Sequence, residues 1–221
     1  IEHADGRVES HLVKPMTPSI ELGAATTAWQ RAGSSLRLGI EHILLGFDHL
    51  LFVLALVMIV KSTRKLLITV TAFTIAHSIT LSLATLGVIH VPGPPVEAII
   101  ALSIVFVATE IIHKRQGREG LASRKPWIVA FAFGLLHGLG FAGALAEVGL
   151  PENSIPLALL FFNIGVEIGQ VLFIVVVLAV YHLAKKLIAG RYDQTRLEPI
   201  PVYMIGGIAS YWVFERVAGF W

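Results

Sequence analysis

The chain of 221 residues contains no cysteine. This excludes a disulfide framework, a thiolate metal site and a cysteine nucleophile. Charge is also scarce. Asp, Glu, Lys and Arg make up 14% of the residues, against about 25% in soluble domains. The net charge is only +2, and the basic residues sit in short stretches between apolar runs. That pattern speaks against a nucleic-acid partner. No GxxxxGK[ST] stretch is present to cradle the phosphates of ATP.

What fills the chain instead is apolar. Hydrophobic residues account for 55% of it, and the mean hydropathy is +0.76. A bilayer core of ~30 Å requires about 20 apolar helical residues. Six segments meet that length: Leu36–Val60, Leu66–Ile89, Pro95–His113, Trp127–Gly149, Ile155–Leu183 and Ile200–Trp221. The expected fold is therefore all-α, a polytopic membrane protein of six transmembrane helices. The connections after the first, third and fifth spans carry twelve Lys and Arg residues, among them Lys61, Arg64, Lys114, Arg118, Lys185 and Arg196. The connections "HVPGPP" and "LPENS" carry none. The positive-inside rule then places the basic connections in the cytoplasm and both termini outside. The expected location is a bacterial cytoplasmic (inner) membrane. Residues 1–35 are polar and mixed, and are expected to form an extra-membrane N-terminal segment or linker preceding the six-helix domain of residues 36–221. Ile1 at the start reads as a processed chain or a fragment.

Against this background the polar residues within the spans stand out, since a charged side chain at a helix centre costs at least ~2.5–3.5 kcal/mol on insertion scales. The first span, "LGIEHILLGFDHLLFVLALVMIV", carries Glu41, His42, Asp48 and His49. Counting a rise of ~1.5 Å per residue puts Asp48 and His49 ~18–20 Å deep and His42 ~9 Å deep. The same count brings His77, His137 and Glu167, from three further spans, near the midplane, with Asn163 ~12 Å deep. Intramembrane ionisable groups normally face the bundle interior or a cavity, so one shared polar site is the economical arrangement. Glu41 and Asp48, like His42 and His49, are seven residues apart and share a helix face. The first of each pair would mark an entrance and the second the site. Ser78 lies beside His77, and Glu110 ends the third span near the inner face, where it could serve as an exit. Glycines 134, 138, 140 and 143 of the fourth span suit close helix packing. Glu215 and Arg216 are expected to be solvated at the outer face.

Imidazoles and carboxylates without thiolates suit a borderline divalent ion, namely nickel, cobalt or zinc. The same groups could also relay protons.

Several runs carry a resemblance. "HILLGFDHLLF" (residues 42–52), "FTIAHSITLSLA", "GLLHGLGFAGAL" and "LLFFNIGVEIGQ" resemble the HupE/UreJ family, in the branch with an extra-membrane N-terminal region. Ile43 stands where the family's short members have Pro. The resemblance implies a nickel or cobalt permease connected with hydrogenase and urease accessory functions, and so with metalloenzyme maturation factors. It implicates His42, Asp48 and His49. The first reading is thus a divalent-metal permease. The ion would pass Glu41 and His42 and bind at Asp48, His49, His77 and His137, with Glu167 and Asn163 as further ligands or supports. An alternative is an intramembrane zinc-dependent hydrolase built on the same constellation, with Asp48 or Glu167 as general base. A third reading is a metal sensor or assembly partner.

Overall fold

The computed structural model describes residues 27–140, 155–188 and 199–220. Among them the structure is helical: α1 (Ala28–Leu45), α2 (Phe47–Ile59), α3 (Thr63–Thr85), α4 (Gly93–Arg115), the short α5 (Leu121–Arg124), α6 (Pro126–Gly140), α7 (Ile155–Ile188) and α8 (Pro199–Ala218).

Local chemistry sets the helix ends. Thr27 and Gln30 form a capping box at the start of α1, with Gln30 N–H donating to Thr27 Oγ1 at 3.3 Å and Thr27 N–H donating to Gln30 Oε1 at 2.8 Å. α4 begins at Gly93 with proline in its first turn, where a missing N–H costs nothing. α3 and α4 end alike. Gly87 and Gly117 take φ of 72° and 81°, and the next amides, of Val88 and Arg118, bond back to Leu83 O and His113 O at 2.9 Å. Both are Schellman closures, in which glycine takes the left-handed position without a Cβ clash.

Three helices, α3, α4 and α7, are long and apolar enough to cross a membrane, and the α1–α2 pair also qualifies if it is counted as one bent span. α6 is a shorter apolar helix. The helices are apolar on both sides. Phe52, Leu56, Phe73 and Ile104 are buried, while Ile68, Ile75, Leu102, Val175 and Phe214 are exposed. A helix apolar all round belongs in a core or in lipid, and these outer faces are uncovered among the described residues.

The strongest packing pairs α3 with α6, α1 with α7, and α8 with α4. Glycine enables the first two. On α6, a Cβ at Gly138 would run into His77 O and Thr80 Oγ1 of α3. On α1, a Cβ at Gly39 would run into the Phe162 carbonyl of α7. The helices therefore approach at backbone distance, as the glycines of the fourth span led one to expect.

The first span differs from expectation. Leu36–Val60 is not one straight helix. It is broken at Gly46 and bent by 71°, and its first half reaches back to Ala28, so residue 35 falls inside α1. The reason is local. Gly46 has φ −81° and ψ 91°, outside the helical region, and a Cβ there would stand 2.7 Å from His42 O and 3.0 Å from His49 Nδ1. Expectations about residues 1–26, Gly143 and Arg196 lie outside the described residues.

Candidate metal centre

The bend at Gly46 assembles the site. In a straight helix, residues seven apart are ~10.5 Å apart along the axis. Here the His42 and His49 ring centroids are 4.7 Å apart. His77 of α3 completes a triad, with centroids 5.9 Å from His42 and 6.0 Å from His49. One nitrogen from each of the three can be chosen so that all lie within 4.8 Å of one another. His137 of α6 stands beside the triad, 4.8 Å from His49 between centroids. His49, His77 and His137 are buried. The separation of an entrance at His42 from a site at His49 does not hold, because both belong to one cluster.

Depth changes too. Counting from Leu36 fails because a new helix starts at Phe47, so Asp48 and His49 occupy the first turn of α2. His77 lies ~12 Å from the Thr85 end of α3 and ~21 Å from the Thr63 end. The cluster is off-centre, toward the side of residues 86–92 and away from the basic connection at Lys61–Lys65.

Hydrogen bonds fix which imidazole nitrogens are available. His77 Nδ1 lies 3.3 Å from Asn163 Oδ1 of α7. The Asn163 amide is oriented by donation from Nδ2 to Leu159 O at 2.8 Å. Oδ1 must then accept, so His77 Nδ1 carries the proton and Nε2 keeps its lone pair. On the other side, Ser103 Oγ donates its hydrogen to Ile100 O at 2.6 Å and lies 3.3 Å from His137 Nε2. His137 Nε2–H therefore donates, and the lone pair sits on Nδ1. Both lone-pair nitrogens, together with His49 Nε2, are buried without a hydrogen-bond partner among the described residues. Such groups cost about 1–3 kcal/mol each. An imidazole held by one nitrogen, with the other left for a metal, is the usual arrangement of a metal-binding histidine.

The walls are aromatic. His77 is stacked between Phe73 (6.1 Å) and Phe162 (6.4 Å), and Phe52 lies 5.4 Å from His137. Beside His42 an open groove of ≈ 330 Å³ is lined by Leu38, Glu41, His42, Leu45 and Gly46.

The acidic candidates have partners outside the triad, and Glu167 keeps Oε2 buried without a partner among the described residues. Asp48 receives two hydrogen bonds from Arg216 Nη2, at 2.9 and 3.2 Å. Glu167 Oε1 accepts from Thr71 Oγ1 at 2.6 Å, and Gln170 Oε1 accepts from Thr74 Oγ1 at 2.9 Å. Glu41 accepts from Arg37 Nε at 2.7 Å. Glu110 accepts from the Ala122 amide at 3.0 Å, which ties α4 to α5. Ser78 bonds the Thr74 carbonyl of its own helix. Sequence reasoning overlooked Arg216, which it left in solvent, and Ser103, which orients His137. An arginine within an apolar span was the available signal for the first. A lone serine in an apolar helix gave none for the second.

The Asn163 contact makes a prediction. Removing the outer partner of a metal-binding histidine costs 10–100-fold in affinity. Asn163→Leu should lower affinity for divalent metal by about that factor and leave His77 in place. Isothermal titration of the purified protein checks it.

An apolar helical bundle enclosing an imidazole cluster with unpartnered nitrogens defines a class: a membrane protein equipped to hold a metal ion. A family model described as HupE / UreJ protein matches residues 19–216. The chain belongs to the HupE/UreJ family. No curated protein and no solved structure matches it.

Proposed function

We propose that the protein is a divalent transition-metal permease of the nickel/cobalt type, crossing the bacterial cytoplasmic membrane six times with both termini outside. The observation that carries this reading is the His42–His49–His77 triad, with donor atoms within 4.8 Å and His137 alongside. Imidazole donors without thiolate fit nickel, cobalt or zinc. Membership of a family associated with nickel and cobalt transport favours the first two.

The triad nitrogens lie within 4.8 Å of one another, against ~3.4 Å between donors of a tetrahedral zinc site, so a bound ion would draw them together. The groove past Glu41 and His42 offers an approach from outside. Below the triad, the Thr74–Gln170 and Thr71–Glu167 pairs continue a polar seam between α3 and α7. An ion could descend this seam toward the cytoplasm. With no ATP-binding motif, an ion gradient, the membrane potential or a partner would drive it, and metalloenzyme maturation factors would receive it. The hydrolase reading gains less support for Asp48 as its general base, because Arg216 holds that carboxylate.

Two measurements test this proposal. Cysteine labelling at Gly117 should report the cytoplasm, and at Gly93 the outside. A reversal at either position would refute the orientation. Metal analysis of washed protein should find weakly held, exchangeable ion. Stoichiometric zinc that survives chelator would instead favour the hydrolase.

A further inference from the structure

The imidazole triad contains no carboxylate among the described residues, so a divalent ion held there has its charge uncompensated by the triad. The carboxylate next along the chain, Asp48, is already taken. Arg216, near the end of α8, places Nη2 at 2.9 and 3.2 Å from the two Asp48 oxygens. Its Nη1 donates to Glu97 O of α4 at 2.7 Å, its Nε lies 4.0 Å from Glu97 Oε2, and its guanidinium rests 5.6 Å from the Trp212 ring centre. The Arg216 and Asp48 side chains are 19% and 25% exposed. This is a guanidinium seated on one helix by stacking, anchored to a second by a backbone carbonyl, and aimed at a third.

Both Asp48 oxygens accept from a single nitrogen, Nη2, and so does not use the paired-nitrogen fork that makes arginine–carboxylate contacts strongest. Arg216 occupies, as a tethered cation, the carboxylate of the residue that precedes His49 in the chain.

We propose that Arg216 is a specificity-determining latch, an internal cation that holds Asp48 until a divalent ion in the imidazole cluster competes for it. The latch lowers the resting affinity of the site. It also supplies a means of release, since Arg216 retakes Asp48 as the ion leaves. Only a cation of sufficient charge would displace the guanidinium, so the latch discriminates against monovalent ions. The proposal rests on the metal-binding reading above.

The test is cobalt(II) titration of the full chain in detergent, followed by calorimetry. Arg216→Gln should bind cobalt about tenfold more tightly than wild type, and Asp48→Asn more weakly. The double variant Asp48→Asn/Arg216→Gln should bind no more tightly than Asp48→Asn alone. If the gain persists in the double variant, Arg216 acts only as a distant positive charge and the latch is overturned. Arg216→Lys keeps the charge but loses the second nitrogen that anchors the side chain on Glu97 O, and should show a smaller gain. This variant serves if Arg216→Gln fails to fold, and unchanged affinity in it overturns the latch. A wild type that binds cobalt while Arg216→Gln, folded by circular dichroism, does not bind it more tightly also overturns the latch and leaves the metal site standing. A wild type that binds no cobalt, nickel or zinc would overturn the site and the latch together.

Discussion

His49→Leu is expected to abolish metal binding and yet leave the metal-free protein as stable as wild type, or more so. The two halves of this result come from the same observation. His49 is buried with Nε2 unpartnered, and its ring lies within 4.8 Å of both His42 and His137. Loss of an outer partner already costs 10–100-fold in affinity, so loss of a ligand should cost at least about 100-fold. For stability the sign is reversed. A buried nitrogen without a hydrogen bond costs about 1–3 kcal/mol, and leucine brings no such group into a pocket walled by Phe73 and its neighbours. A histidine kept for structure would behave oppositely, because its replacement would leave partners unpaired and lower the melting temperature. Metal titration and thermal unfolding of the same sample check both halves. His182→Ala is the control. His182 is exposed and its Nδ1 bonds the Leu178 carbonyl of its own helix at 2.7 Å, so binding should be unchanged.

Gly46→Val should be nearly as damaging, although glycine has no ligand atom. A Cβ at this position stands 2.7 Å from His42 O and 3.0 Å from His49 Nδ1. The branched side chain must push away the His49 imidazole or the His42 carbonyl that the bend brings together. Overpacking of this kind costs about 1–3 kcal/mol, and here it falls on the ligands themselves. Gly46→Val should therefore lose metal affinity by at least tenfold, on the order of 1.4 kcal/mol, with a lower melting temperature. Gly33→Val is the comparison, since a Cβ there meets nothing within 4 Å. Equal affinity in the two variants would show that the bend does not assemble the site.

These residues also show what the sequence made legible and what it did not. Histidines in apolar runs are conspicuous because burying them is costly, and that cost singled out His42, His49, His77 and His137 from three separate spans. Helix content and close glycine packing were legible from hydropathy and small-residue spacing. The break at Gly46 was not. A glycine in an apolar run reads equally as a packing contact, and only its neighbours in space, His42 O and His49 Nδ1, distinguish a bend. Depth counted from Leu36 failed for the same reason. The partner of Asp48 was beyond reach because Arg216 lies 168 residues away, so helix periodicity could not connect them. The tautomers of His77 and His137 depend on Asn163 and Ser103, contacts that only the packed helices create.

Uptake by reconstituted protein tests most directly whether the imidazole cluster carries a divalent ion across the membrane. Proteoliposomes containing the wild-type chain, under an imposed pH gradient or membrane potential, should accumulate nickel or cobalt well above liposomes containing His49→Leu. Wild-type liposomes that take up no more nickel, cobalt or zinc than the His49→Leu liposomes, under either driving force, would contradict it.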